Sequence, residues 1–338
     1  MGLMNRWGLA AMAAGLLLTG LIISHQDLNG LWSSVSSIGW GIIPVLVVHI
    51  IQLVLAGIAW RTPVSCLSTS PGIPFFIHIR WIRESISGLL PITQIGGELI
   101  SIRLLAIKGM KGSQAGASLV VDLTMEAISL FLFILTGLVV LLMNHDSSGL
   151  VKWVLTGLLV IVPAIIGFLL AQRYGMFRLV ENFCDWIADH SPLLKTGMAE
   201  GLHDTIHALY RDPKALFVSC IQHLLAWAVG TLEVWLILYF LDHPVTLGQA
   251  LVLESLGQAI RSAVFFIPGG LGVQEGGYLL LGGLAGLSPE TGLALSLIKR
   301  VRELVIGLPG LLAWQIMEGH HLIVTKAQPV PVTEHHNE

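Results

Sequence analysis

The apolar positions run in blocks too long and too unbroken for soluble helices. A helix that crosses a bilayer needs about 20 mostly apolar residues, and five stretches meet that length: about 7–24, 38–60, 115–143, 151–171 and 215–241. A sixth, about 292–318, is long enough but carries several charges in its first half. Tryptophans lie near several ends, at Trp7, Trp40, Trp60, Trp153 and Trp314, where interfacial anchoring expects them.

Two further blocks, about 73–108 and 249–285, are apolar but interrupted by proline and glycine. The first break is Pro91-Ile-Thr-Gln-Ile-Gly96-Gly97-Glu98, and the second is Pro268-Gly269-Gly270-Leu-Gly272-Val-Gln-Glu275. A broken backbone at membrane depth is tolerated where protein or a wet cavity satisfies its polar groups. Both blocks are therefore expected to be re-entrant helical hairpins, with Pro91, Gly96, Gly97, Pro268, Gly269, Gly270 and Gly272 at the breaks. The expected fold is all-α and polytopic: about six transmembrane helices plus two re-entrant hairpins in an inverted repeat. Residues 1–324 form one integral membrane domain, 173–214 a charged amphipathic cytoplasmic connection, and 325–338 a disordered cytoplasmic tail.

The repeat rests on an offset of 177 residues, which pairs Pro91 with Pro268, Glu98 with Glu275, Gly109 with Gly286 and Glu126 with Glu303. Ser85 with Ser262, Leu104 with Leu281 and Ala117 with Ala294 agree in the same ungapped register. The copies span about 75–143 and 250–318. The distribution of Lys and Arg sets the orientation. With the N-terminus in the cytoplasm and both hairpins returning to their own side, the outer loops near 25–37, 144–150, 242–248 and 286–291 contain no Lys or Arg. This is the positive-inside pattern. It places both termini in the cytoplasm and makes the copies inverted, an arrangement in which a transporter's binding site lies between the repeats.

Composition agrees: 54% of the 338 residues are hydrophobic and 12% charged, with a mean hydropathy of +0.79, against about 25% charged in ordinary soluble domains. The net charge of −3 offers no basic surface for nucleic acid. Cys66, Cys184 and Cys220 have neither zinc nor disulfide spacing. His203 and His207 stand at i, i+4 but show no third ligand in the sequence, and His49 and His78 are read as ordinary interfacial residues. No metal or cofactor is expected.

An ionisable group at the bilayer centre costs about 2.5–3.5 kcal/mol, so each one in these blocks needs a reason. Copy one contains Arg80, Arg83, Glu84, Glu98, Arg103, Asp122 and Glu126; copy two contains Glu254, Arg261, Glu275, Lys299, Arg300, Arg302 and Glu303. Asp122 with Glu126 and Lys299 with Glu303 are i, i+4 pairs on one helix face. The register sets Glu84 against Arg261 and Asp122 against Lys299, which predicts ion pairs across the repeat interface. Arg261, Lys299, Arg300 and Arg302 outnumber Glu275 and Glu303, a surplus that suits an anionic head group. The expected substrate pathway is Glu98, Arg103, Asp122, Glu126, Arg261, Glu275, Lys299, Arg300, Arg302 and Glu303, charges that either contact a substrate or lock the fold. There is no His-Glu-x-x-His, Gly-x-Ser-x-Gly or phosphate-binding loop, so an enzyme is not expected.

Pro91-Ile-Thr-Gln-Ile-Gly-Gly-Glu98, Phe266-Ile-Pro-Gly-Gly-Leu-Gly-Val-Gln-Glu-Gly-Gly-Tyr278 and Ile298-Lys-Arg-Val-Arg-Glu303 together resemble the lysylphosphatidylglycerol synthase transmembrane-region superfamily, most closely its hopanoid-biosynthesis-associated members. The resemblance implies a bacterial inner-membrane protein that moves lipid between leaflets. It does not extend to the soluble aminoacyl-transferring domain of the synthases. The partners it implies are membrane lipids, either a hopanoid or an anionic phospholipid, together with hopanoid-biosynthesis proteins; a homo-oligomer is compatible with all of this. The competing readings are a non-transporting scaffold for those enzymes and a membrane-embedded lipid-modifying enzyme using Glu98, Glu275 or Glu303.

Overall fold

The computed structural model describes residues 36–90, 95–144, 201–263 and 273–327, and within these it is helical with no strand. A short 3₁₀ turn, Gly39–Gly41, leads into α1, Ile42–Arg61. There follow α2, Ile73–Leu89; α3, Ile95–Ile107; α4, Gly112–Asn144; α5, Leu202–Tyr210; α6, Pro213–Phe240; α7, Leu247–Ala263; α8, Val273–Leu284; and α9, Pro289–Ala327.

Three helical segments are long and apolar enough to cross a membrane: Ser36–Arg61, Gly112–Met143 and Pro213–Phe240. They correspond to the expected spans 38–60, 115–143 and 215–241; the expected spans 7–24 and 151–171 lie outside the described residues. Only about a third of the residues in each span are buried within the protein, leaving faces such as Ile43, Val47 and Ile50 of α1 or Phe217, Ile221 and Leu225 of α6 to lipid. α9 covers the charge-bearing sixth stretch as one helix of 39 residues with Pro309 inside it.

Each interrupted block is a pair of packed helices, of 17 and 13 residues in copy one and 17 and 12 in copy two. Leu90 after α2 is extended (φ −87°, ψ 141°), the conformation forced on a residue that precedes proline. The breaks themselves, with Pro91, Pro268, Gly269, Gly270 and Gly272, lie outside the described residues. Gly96 and Gly97 do not sit in a break, however, but in the first turn of α3. A Cβ at Gly97 would collide with the Ser87 hydroxyl and the Arg83 carbonyl, so this glycine lets α3 close onto α2.

The 177-residue offset reappears in the geometry. It carries the start of α4 at Gly112 onto the start of α9 at Pro289 and places α1 within α6. The turns after α3 and α8 share one hydrogen-bond pattern. Lys108 N donates to Leu104 O (3.1 Å), Gly109 N to Ala106 O (3.0 Å) and Met110 N to Leu105 O (3.1 Å). Ala285 N donates to Leu281 O (3.3 Å), Gly286 N to Gly283 O (3.2 Å) and Leu287 N to Gly282 O (2.9 Å). Gly109 (φ 104°) and Gly286 (φ 74°) occupy the left-handed region, as a helix end of this type demands. The shared glycine is thus a shared helix stop.

The copies are interleaved. α2 packs on α9, and α7 packs on α4. Gly307 and Gly310 of α9 admit Leu89 and Ser85 of α2, while Gly137 of α4 admits Ser255 of α7. α1 and α6 lie along each other, tied by Ser219 Oγ donating to Ala59 O (2.8 Å) and Thr62 Oγ1 donating to Gln222 Oε1 (2.7 Å). One apolar core gathers Trp60, Phe76, Leu105 and α5; a second gathers Val45, Ile237, Leu253 and Ile298. Trp60 is not an interfacial anchor. It is fully buried, edge-on to Phe76, with the Arg83 guanidinium 5.1 Å above it. Trp40, by contrast, is exposed.

Candidate functional site

Between the two cores the buried charges form two clusters, each built by a first hairpin helix reaching the long helix of its own copy. In copy one, Arg83 donates to Asp122 Oδ2 (2.7 Å) and Glu126 Oε2 (2.6 Å), and Arg80 grips both oxygens of Glu126 (2.6 and 2.8 Å). His223 of α6 lies 3.0 Å from the other Asp122 oxygen. Glu98, one turn into α3, has Oε1 3.8 Å from Arg83 Nε, while its Oε2 is buried without a hydrogen-bond partner.

In copy two, Lys299 Nζ meets Glu254 Oε2 at 2.5 Å and lies 3.9 Å from Glu233 Oε1. Arg302 donates to Glu233 Oε2 (2.9 Å). Glu303 accepts from Arg261 (2.7 Å) and Arg300 (2.7 Å). Asp122, Glu233, Glu254, Lys299 and Arg300 are each 2% exposed or less. At that burial an isolated charge costs several kcal/mol, so pairing is the condition under which these groups stay ionised.

The clusters meet at His49 of α1. Its Nε2 is 2.9 Å from Glu84 Oε1 on α2, and its Nδ1 is 2.7 Å from Arg302 on α9 and 3.4 Å from Glu233 on α6. Beside it opens a cavity of about 430 Å³ walled by both copies, with Arg80, Glu84, Glu98 and Glu126 on one side and Arg261 and Arg302 on the other. Gln52, Gln258, His223 and Trp227 are also in its lining. Glu84 and Arg261 are the charges most open to it, with side chains 38% and 29% exposed.

Several expectations change. Asp122 and Lys299 do not pair with each other; each is satisfied within its own copy, because the first hairpin helix carries Arg83 in one case and Glu254 in the other. Glu84 and Arg261 do share the cavity. The positive surplus of copy two is absent, because Glu233 and Glu254 neutralise Lys299 and Arg302. Counting the described side chains of both clusters, six cations (Arg80, Arg83, Arg261, Lys299, Arg300, Arg302) face seven acids (Glu84, Glu98, Asp122, Glu126, Glu233, Glu254, Glu303). Arg103 stands apart, bonded to Glu318 (2.5 Å). Glu275 lies in the first turn of α8. His49 is a buried hub, not an interfacial residue. Glu233 and His223 sit singly in the apolar run of α6, where a lone carboxylate is itself the sequence signal for a functional group.

A family model described as "Lysylphosphatidylglycerol synthase TM region" matches residues 8–310. A UPF0104 membrane protein of Methanothermobacter thermautotrophicus is 21% identical over 278 residues, covering 77% of this chain and 80% of that protein. No solved structure matches.

Proposed function

The chain belongs to the lysylphosphatidylglycerol synthase transmembrane-region family, and on that premise we propose that it is a lipid translocase, passing the head group of a hopanoid or an anionic phospholipid through the cavity between its two copies. The observation that carries this reading is the cavity itself: about 430 Å³, lined by charged side chains from both copies of a repeat in an apolar protein. A lipid head group crossing a bilayer needs a polar path while its tails stay in hydrocarbon. Arg261 is the cation placed to meet a phosphate, and Glu84, Gln52 and Gln258 offer partners for hydroxyl groups.

Among the acids named for the enzyme reading, Glu303 accepts from two arginines, which disfavours it as a general base, since that role needs a carboxylate poised to take a proton; Glu98, with one oxygen unpartnered, is the acid on which an enzyme reading would rest. We infer a bacterial inner membrane with both termini cytoplasmic, on the Lys and Arg distribution.

The test is leaflet exchange in vesicles containing the purified chain, with labelled hopanoid and labelled phosphatidylglycerol in separate arms. Arg261→Gln is expected to slow exchange at least tenfold while leaving the helical circular-dichroism signal unchanged. No protein-dependent movement of either lipid refutes translocation, and a chemically altered lipid recovered from the vesicles would establish an enzyme instead.

A further inference from the structure

His49 is held in one tautomer by its neighbours. A guanidinium can only donate, so the 2.7 Å contact from Arg302 requires a lone pair on Nδ1. The ring hydrogen is then on Nε2, donated to Glu84 Oε1 at 2.9 Å, and the imidazole is neutral. Yet Nδ1 also has a carboxylate oxygen, Glu233 Oε2, at 3.4 Å, and that same oxygen accepts from Arg302 at 2.9 Å. A proton on Nδ1 would remove the acceptor used by Arg302 and create a donor facing Glu233. One protonation event therefore exchanges partners within the His49–Glu233–Arg302 triangle, which joins α1, α6 and α9 and, through Glu84, α2.

Charge balance points the same way. With seven acids against six cations among the described cluster side chains, the network has room for one more positive charge, and two cavity-lining histidines stand against its acids: His49 at Glu84 and His223 at Asp122. The charged groups that face His49 are Glu84 and Arg80 from α2, Glu233 from α6 and Arg302 from α9, with Glu126 of α4 and Arg261 of α7 across the cavity. His49 itself lines that cavity, so a proton can reach the ring through it.

We propose that His49 is a proton-binding site that couples head-group passage to proton uptake, an inference that rests on the translocase reading above. The step is simple: a hydronium ion in the cavity gives one proton to Nδ1, its O–H bond breaking as the N–H bond forms and water being left, and Arg302 loses an acceptor. An anionic head group at Arg261 favours the protonated ring and is favoured by it, because linkage between two sites is reciprocal. The coupled unit is one proton with one anionic head group.

The experiment uses the full chain in vesicles of phosphatidylcholine and phosphatidylglycerol, with labelled phosphatidylglycerol as the probe. Exchange rate and the ¹⁵N imidazole spectrum are followed together from about pH 5 to pH 8, the window in which an ordinary histidine changes charge. The expected result is one imidazole signal, absent in His49→Gln, that titrates in step with an exchange rate rising about tenfold toward low pH, and a flat rate profile in His49→Gln. Glutamine can still accept from Arg302 and donate to Glu84, so helix content should be retained. Where it is not, an entrapped pH dye in vesicles of the unaltered protein reads proton entry accompanying lipid exchange. His78→Gln, which alters a ring set edge-on to Trp81 outside the cavity lining, should keep the pH dependence. Exchange that is pH-independent in the unaltered protein, or equally pH-dependent in His49→Gln, overturns the coupling alone. Vesicles in which no lipid moves overturn it together with the translocase reading.

Discussion

Glu254→Gln tests whether the copy-two charges are held by pairing. The substitution keeps the shape of the side chain and removes its charge. Lys299, 2% exposed, would then have Glu233 at 3.9 Å as its remaining carboxylate within 4 Å. With an effective dielectric of about 20, the 2.5 Å contact to Glu254 supplies roughly 6.6 kcal/mol of gross attraction and the 3.9 Å contact roughly 4.3 kcal/mol. The variant thus forfeits roughly three-fifths of the attraction that offsets burial of the ammonium. Breaking a buried pair from one side costs about 3–5 kcal/mol; with Glu233 still present the lower end is expected, about 3 kcal/mol, or roughly a 150-fold shift in the folding equilibrium at 1.36 kcal/mol per decade. Adding Lys299→Met removes the stranded ammonium. The double variant should therefore be at least as stable as Glu254→Gln alone, with a coupling energy above about 1 kcal/mol. Reversible unfolding in mixed micelles, followed by circular dichroism, measures Glu254→Gln, Lys299→Met and the double variant. A loss below about 1 kcal/mol for Glu254→Gln, or strict additivity in the cycle, would refute the reasoning.

Other outcomes follow from local geometry and can be read in the same unfolding assay. Gly109→Ala and Gly286→Ala meet no steric obstacle but force a side chain into the left-handed region, so each should cost about 1–2 kcal/mol; a large difference between them would break the equivalence of the two turns. Asp212 caps α6 by accepting from Lys214 N (3.1 Å) and Ala215 N (3.0 Å), and Asp212→Ala should cost about 1 kcal/mol. Gly137→Ala should cost about 1–3 kcal/mol through overpacking against Ser255, and Ser255→Gly in the same chain should recover part of it.

How much was legible in the sequence differs by element. The spans around α1, α4 and α6 were readable because hydrocarbon thickness imposes a length on an apolar run. The repeat was readable because Gly109 and Gly286 answer a backbone demand that no other residue meets as cheaply, so the glycine persists where the residues around it have diverged. Partners of the charges were not readable. Matched positions need not face each other: Glu84 and Arg261 line one cavity but bond to His49 and Glu303, and Asp122 and Lys299 are each satisfied within their own copy. Which acid reaches Lys299 depends on a side chain on α7, whose placement comes from tertiary packing. Glu233 shows a different limit: one charge in a long apolar helix barely alters a hydropathy average, yet it changes the charge count of the whole site. His49 could be recognised as a hub only once α2, α6 and α9 were seen converging on α1.

The crossed packing of α2 on α9 and α7 on α4 has an evolutionary consequence. Each copy leaves glycine grooves on its long helix that the other copy's hairpin fills, so neither is complete by itself. A chain carrying one copy alone would leave those grooves open unless a second molecule filled them, each lending its hairpin to the other. With both copies in one chain, matched positions have no need to stay alike through descent or symmetry: an acid stands at Asp122 and a lysine at its counterpart, Lys299.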